Sequence, residues 1–391
     1  MRAVVLGGGY AGVVVASRLE GFLEDDDELV VVDEDGTHLI RHQLHRLIRR
    51  PDLKRRVKVP LSRIVDRGRI HESRVVSIDT ADRTVHLSDG SALSYDVAAV
   101  CLGSTPAYDD LPGVESNSIP VTSTQDVLAI REQVLDVIDR DSSTVVVAGA
   151  GLTGIQVAGE LAALQSEGND GRGNDLSITL LEQADSVAPG FGPGMQEELR
   201  TALERSGVEV RTGTSVAGAS ESAVHLAGEE SIDVDTLVWT GGIAGPNVFD
   251  GSRPTVRADL QLADSTFVAG DAARVIDVNG TEATPSAQTA IRQATVAAKN
   301  IQSIAESTRE PGSFRPRLER YRYDPFAWVV SVGDEAVATV GSQVLTGTAA
   351  RAIKSTVGVG YLASAGGIRE AVGMIRSSFG FEFPGRGPSG T

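Results

Sequence analysis

Two stretches of this chain share one pattern of apolar and polar positions. Residues 1–6 form an apolar, β-branched run, glycines follow at Gly7, Gly9 and Gly12, residues 11–23 can form a helix, and a second apolar run, "ELVVVD", closes on Asp33. Residues 144–148, "TVVVA", begin the same order again, with Gly149, Gly151 and Gly154, a helix through about residue 163, and the strand "SITLLE" ending in Glu182. Each stretch has the size and order of a strand–turn–helix–strand unit. Between the second helix and its strand lies "SEGNDGRGND", polar and glycine-rich, which predicts an exposed, mobile loop.

The three glycines of such a turn have separate tasks. The first permits the tight turn, the second lets backbone amides approach a pyrophosphate, and the third lets helix and strand pack closely. Asp33 lies 21 residues after Gly12, the spacing expected of an acid that holds a ribose 2′-hydroxyl. Glu182 lies 28 after Gly154, the extra length being the polar loop. One glycine turn is a weak signal. Two in the same context, each closed by a carboxylate, predict that the chain holds two dinucleotides and passes electrons between them. At the second site NADH is expected over NADPH, because Glu182 repels a 2′-phosphate and Gln183, Ala184 and Asp185 add no cation.

Composition narrows the classes. At 391 residues the chain is too long for one ordinary core, and two or three domains are expected. Its net charge of −17 argues against nucleic acid, since phosphate binding needs a basic surface. Lysine is scarce, four against 32 arginines, which with the carboxylate excess points to a salt-adapted (halophilic) cytoplasm. Cys101 is the single cysteine, so no internal disulfide forms and the chain reads as cytoplasmic. The first sixteen residues faintly resemble a signal peptide, but the glycine break fits a strand and turn better. The longest uncharged apolar stretch near the C-terminus, "STVGVGYLASAGGI", has 14 residues, short of a spanning helix.

With both turns in place, the sequence resembles the pyridine nucleotide–disulfide oxidoreductase superfamily of two-dinucleotide flavoproteins over about residues 1–310. "SYDVAAVCLGSTP" (94–106), with Gly103, looks like the segment where the chain leaves the FAD domain. "STFVAGDAA" (265–273) is similar to the second FAD contact, in which the family's aspartate, here Asp271 after Gly270, accepts from the flavin ribitol. Within the superfamily the chain resembles the type II NADH:quinone oxidoreductases, through "GAGLTGIQVAGEL" (149–161), "LVWTGGIAGPNV" (237–248) with Gly241, and "TPSAQTAIRQATVAAKNI" (284–301). The last is similar to the family's helix beside the quinone.

The resemblance implies an α/β fold with two Rossmann-like domains, the NADH domain inserted in the FAD domain. The expected division is 1–120 and 246–310 for FAD, 121–245 for NADH, and 311–391 as a C-terminal domain or membrane-associating tail. The chain departs from the family at two positions, with Gln156 where a glutamate is usual and Arg292 where a glutamine is usual.

Without a cysteine pair the flavin must reduce its acceptor directly. Cys101, inside an apolar strand, reads as a small buried hydrophobe. A helix is expected to start near Thr284 and Pro285, with Gln288 and Arg292 on one face and Ala287, Ala290, Ile291 and Ala294 packing it. By the resemblance its amino end faces the flavin, where its partial positive charge stabilises the reduced form. Arg292 is either a solvated charge or a cation at the acceptor site. His38, His42 and His45 have i, i+4, i+7 spacing, but no carboxylate or cysteine ligands stand near and no metal is expected. Lining of the pocket, with His42 or His45 donating protons to a reduced acceptor, is one reading, and ordinary partly exposed histidines the other.

Two segments are basic within this acidic chain. Residues 41–69 hold eleven Lys or Arg against Asp52 and Asp66, and residues 343–391 hold five basic residues against Glu370 and Glu382. Either could meet anionic headgroups and place the protein peripherally on the cytoplasmic face of the membrane; the first could equally dock an acidic carrier. The alternatives are a basic face neutralised by acidic neighbours, and a tail that packs on its own domain or on the second subunit of a homodimer. The functional expectation is an FAD-dependent NADH dehydrogenase of the respiratory chain that reduces a quinone. Its rivals are a reductase of an acidic protein such as ferredoxin and a flavin-bound interaction protein that responds to NADH.

Overall fold

A computed structural model describes residues 1–138, 140, 142–168, 176–309, 314, 316–325 and 327–350. It is a mixed α/β molecule built on two mainly parallel sheets. The first has six strands in the order Gln261–Ala263, Thr266–Val268, Val97–Val100, Arg2–Leu6, Glu28–Asp33, Arg69–Glu72, with only the edge strand Gln261–Ala263 antiparallel. The second has five parallel strands, Ile119–Pro120, Thr236–Trp239, Ser143–Ala148, Leu176–Leu181 and Val208–Arg211. The second sheet draws all its strands from residues 119–239, between the two parts of the first.

The strands are apolar at successive positions because both faces are covered. Val30, Val31 and Val32 are fully buried, as are Val145, Val146 and Val147. Each sheet also carries an antiparallel three-stranded meander, beginning at Val75–Asp79 in the first half and at Val216–Ala219 in the second. The repeat seen in the sequence is thus a repeat of architecture.

The helix of the first turn runs Tyr10–Glu20 and packs on the long helix Ala287–Arg309. The long helix buries many small side chains, Ala290, Ala294, Ala297, Ala298 and Ala305 among them, and small side chains allow close approach of packed elements. Its start corrects the expectation of Thr284 and Pro285. Ser286 is the cap, its Oγ accepting from the Thr289 amide at 3.0 Å, and Pro285 precedes the cap instead of opening the helix. The second turn's helix continues to Gly168, beyond the expected residue 163. Residues 169–175 of the polar loop lie outside the described residues.

After the long helix the chain forms an antiparallel sheet, Ala327–Val332, Glu335–Val340 and Gln343–Thr346. The segment expected as a tail from residue 343 therefore begins as a paired strand, its register running from Val340–Gln343 to Val337–Thr346. The remainder, 351–391, lies outside the described residues. Among the described residues no helix is long and apolar enough to cross a membrane.

Candidate functional site

Both glycine turns close in the same way. Gly7 and Gly149 take positive φ, +101° and +103°. A β-carbon at Gly12 would lie 1.8 Å from the Gly7 carbonyl oxygen, and one at Gly154 would lie 1.9 Å from that of Gly149. The helix thus presses on the strand end with no room for a methyl. At the middle glycine the reverse holds, since no protein atom lies within 4 Å of a β-carbon built on Gly9 or Gly151. The space kept clear lies at a helix amino end, where free amides and partial positive charge favour phosphate.

The two carboxylates are set alike. Asp33 Oδ2 accepts from the Gly8 amide at 2.8 Å, while Oδ1 accepts from Asp35 and Thr37 at 3.1 and 3.3 Å. Glu182 Oε2 accepts from the Ala150 amide at 2.8 Å and Oε1 from Ala184 at 2.9 Å. Each acid is pinned across the mouth of its own turn and keeps lone pairs for a ribose hydroxyl. Gly241 follows the strand Thr236–Trp239 beside the second turn, its α-carbon 2.9 Å from where a Gly149 β-carbon would stand.

One cavity of about 1050 Å³ runs over the first turn and beyond it. Gly9, Asp33, His42, Gly103, Gly270, Asp271, Gln156, Gln288 and Arg292 all line it. Gly7 and Gly12 of the first turn are not in the lining, nor are Gly149, Gly151, Gly154, Glu182 and Gly241 at the second. Burial pushes the Asp271 carboxyl up, against the opposing pull of Arg41 and then Arg253. The turn that carries it is held from the helix side by Gln293, buried, whose Oε1 accepts from the Gly270 amide at 2.8 Å. An open middle glycine, a pinned acid and a second, half-buried acid in one cavity fit the two ends of an FAD molecule.

His38 and His42 both pack on the Tyr10 ring, centroids 5.1 and 5.9 Å away, and His42 and His45 line the cavity. His38 belongs to the short strand Thr37–Leu39, whereas His42 and His45 stand on the 3-10 helix Arg41–Ile48, so helical spacing does not relate them. His38 Nδ1 meets the Gly8 carbonyl oxygen at 2.9 Å, and burial pulls its pKa down, so the ring is neutral. His42 Nδ1 lies 2.6 Å from the Tyr10 hydroxyl. His45 is buried, its Nε2 3.3 Å from Ser331 Oγ, and Ser331 Oγ in turn accepts from Gln156 Nε2 at 3.4 Å. Burial pushes the Cys101 thiol up to about 12, which leaves it protonated and non-nucleophilic at neutral pH.

A family profile described as pyridine nucleotide-disulphide oxidoreductase matches residues 1–299. The chain belongs to that family. Within it, the type II NADH:quinone oxidoreductase of Staphylococcus saprophyticus is 24% identical over 396 residues, spanning 94% of this chain and 96% of its own length. The enzyme of the same name from Staphylococcus aureus is 24% identical over 401 residues, with the same coverage. Among solved structures, NDH2 from Plasmodium falciparum in complex with NADH aligns at a TM-score of 0.80 and 13% identity over 96% of this chain and 98% of that one. The sulfide:quinone oxidoreductase of Aquifex aeolicus aligns at 0.76 and 15% identity over 95% and 92%. At such identities the structures show a shared fold, which is the two-dinucleotide fold of this family.

The C-terminal sheet also contributes to the cavity. Trp328 and Val330 from that sheet line the cavity together with Ile291 and Arg292 of the long helix and Leu152 of the second turn's helix. Trp328 is fixed edge-on against Phe191, centroids 5.1 Å apart. The Arg292 guanidinium donates to the Asp324 carbonyl oxygen, so it is tethered by the chain that enters the sheet.

The basic segment 41–69 divides. Arg49, 8% exposed, turns inward to Glu160, Glu167 and Asp334, and Lys58, Arg67 and Arg69 pair with Asp35, Asp25 and Glu28. Lys54, Arg55, Arg56 and Arg63 are exposed. Sequence reasoning missed Gln293, Ser331, Arg49 and Gly159; only Gly159 carried a signal, as a glycine inside a helix, where a β-carbon would lie 2.5 Å from the Gly333 amide nitrogen.

Proposed function

We propose that the protein is an FAD-dependent NADH dehydrogenase that passes electrons to a quinone. What supports this most is one continuous cavity lined by residues of the first turn, by Leu152, Thr153 and Gln156 of the second turn's helix and by the apolar side chains Ile291, Trp328 and Val330. Gly9, Asp33, Gly103, Gly270 and Asp271 would hold FAD, and Gly151, Glu182 and Gly241 NADH. Bound FAD supplies the two-electron chemistry between nicotinamide and acceptor. The chain's own part is placement: the amino end of the long helix, at Ser286, Ala287 and Gln288, brings partial positive charge to the cavity. Gln288, Gln156 and tethered Arg292 offer N–H donors to the carbonyl oxygens of an acceptor, and His42 or His45 a proton. The apolar wall excludes water. The boundaries at 120, 245 and 310, a respiratory role and a salt-adapted host belong to the same proposal.

Protein reconstituted with FAD should oxidise NADH with a soluble quinone well above the rate of free FAD. Turnover with a ferredoxin and none with quinone moves the assignment to the second reading, which the exposed cations Lys54, Arg55, Arg56 and Arg63 favour.

Glu182→Ala is expected to lower kcat/KM for NADH and to narrow its preference over NADPH by about tenfold, since a repulsive carboxylate leaves and the Ala150 amide loses its acceptor. An unchanged ratio of the two kcat/KM values excludes Glu182 as the selector.

Contact with an anionic membrane, through residues 54–63 or the tail, belongs to this reading. Ending the chain at residue 350 keeps the C-terminal sheet whole. If the tail is the anchor, that truncation abolishes flotation with anionic vesicles; undiminished flotation transfers the role to the exposed cations.

A further inference from the structure

Arg253 stands in an irregular loop that is held tightly in place. Within that loop the Gly245 amide donates to the Gly251 carbonyl oxygen at 2.7 Å, and a β-carbon at Gly245 would lie 1.7 Å from the Ser252 carbonyl oxygen. From there the half-buried Arg253 side chain reaches the turn Gly270–Ala272. Its Nε donates to the Asp271 carbonyl oxygen at 2.8 Å and its Nη2 to the Ala273 carbonyl oxygen at 2.9 Å. A guanidinium suits this, because its planar fork presents two N–H groups at fixed spacing to two carbonyls. The neighbouring charges are otherwise engaged, Arg274 pairing with Glu282 at 2.7 Å.

We propose that Arg253 is a positioning residue for the cofactor: it fastens the main chain at Asp271 and just beyond it, opposite the Gln293 bond to Gly270, and so aims that carboxylate into the cavity. The inference rests on the FAD reading of the first turn. Asp271 is faced by Arg253 from this loop, by Arg41 from the 3-10 helix and by Tyr10 from the first turn's helix, whose phenol burial keeps neutral. Arg253 therefore also favours the ionised carboxylate that a ribitol hydroxyl would bond, alongside Arg41.

The test is FAD affinity of the apoprotein across pH, read by quenching of flavin fluorescence. Wild-type affinity should fall as pH drops through the range in which Asp271 takes its proton. In Arg253→Gln affinity should be about tenfold weaker at neutral pH, and the fall should begin at higher pH. Arg253→Lys, which keeps the charge but not the fork, should leave the pH midpoint in place and weaken binding at every pH. Asp271→Asn should flatten the pH dependence with either residue at 253. An Arg253→Gln profile that superimposes on wild type, or one lowered equally at all pH, overturns the proposal. Should Arg253→Gln fail to fold, Arg253→Lys binding FAD as tightly as wild type overturns it. Wild-type protein that takes up no FAD overturns the cofactor reading itself, and the proposal with it.

Discussion

Arg49→Ala is expected to destabilise the protein by about 3 kcal/mol, with the C-terminal sheet loosening first. Arg49 Nε donates to Glu160 Oε2 at 2.7 Å, Nη1 to Glu167 Oε1 at 2.8 Å and Nη2 to Asp334 Oδ1 at 2.9 Å. Those three acids lie on the second turn's helix and in the C-terminal hairpin, so one side chain just past the 3-10 helix ties its own segment to two other parts of the fold. Burial alone would pull the guanidinium down, but its bonds to Glu160 and Asp334 carry its pKa above the ordinary value. Both partners of the inner pair are out of water, at 8% and 5% exposure, so removing one leaves a buried carboxylate short of its main cation. The outer arms differ. Asp334 is 79% exposed, and Asp334→Ala should cost less than about 1 kcal/mol and respond to salt, unlike the Glu160 arm. Hydrogen exchange of residues 327–346 together with urea unfolding checks this. An Arg49→Ala protein with wild-type midpoint and wild-type protection would show the network to be ornamental.

The second large effect separates two glycines three residues apart. Gly12→Ala should fail to fold or lose well over the about 1–3 kcal/mol typical of overpacking, because its methyl would meet backbone, the Gly7 carbonyl oxygen at 1.8 Å, which has no rotamer to yield. Gly9→Ala should leave the apoprotein as stable as wild type, since nothing of the protein lies within 4 Å of the new carbon. Its cost should appear in FAD affinity, expected to fall about tenfold or more as the methyl enters the approach of a pyrophosphate. The pair Gly154→Ala and Gly151→Ala should behave likewise toward NADH, with Gly154 meeting the Gly149 carbonyl oxygen at 1.9 Å. Melting temperature and ligand affinity, measured on all four proteins, give the comparison. A Gly9→Ala protein that binds FAD as tightly as wild type would mean that the clear space above Gly9 is not a cofactor approach.

Residue order alone specifies the two strand–turn–helix–strand units, the acids that close them and the family. These are local. Each lies within about forty residues of chain, and the tasks of Gly12 and Asp33 follow from contacts inside that unit, a Gly12 β-carbon against the Gly7 carbonyl oxygen and the Gly8 amide on Asp33 at 2.8 Å. The start of the long helix was legible to within two residues, since Thr284, Pro285 and Ser286 all favour a helix entry and only the Ser286 bond to Thr289 selects among them.

Tertiary structure alone decided which polar groups meet. Eleven cations crowd residues 41–69, and nothing in their spacing marks Arg49 as the one that turns inward, because its acids stand 111, 118 and 285 residues away. The three histidines share a periodicity that a strand and a 3-10 helix do not preserve, so spacing misgrouped them while packing sent His38 to Gly8 and His45 to Ser331. The turn glycine Gly12 and the capping Ser286 act on neighbours in the chain and so leave their mark in the order of residues. A buried polar side chain acts on whatever the folded chain brings to it, and that partner is written nowhere near it in the sequence.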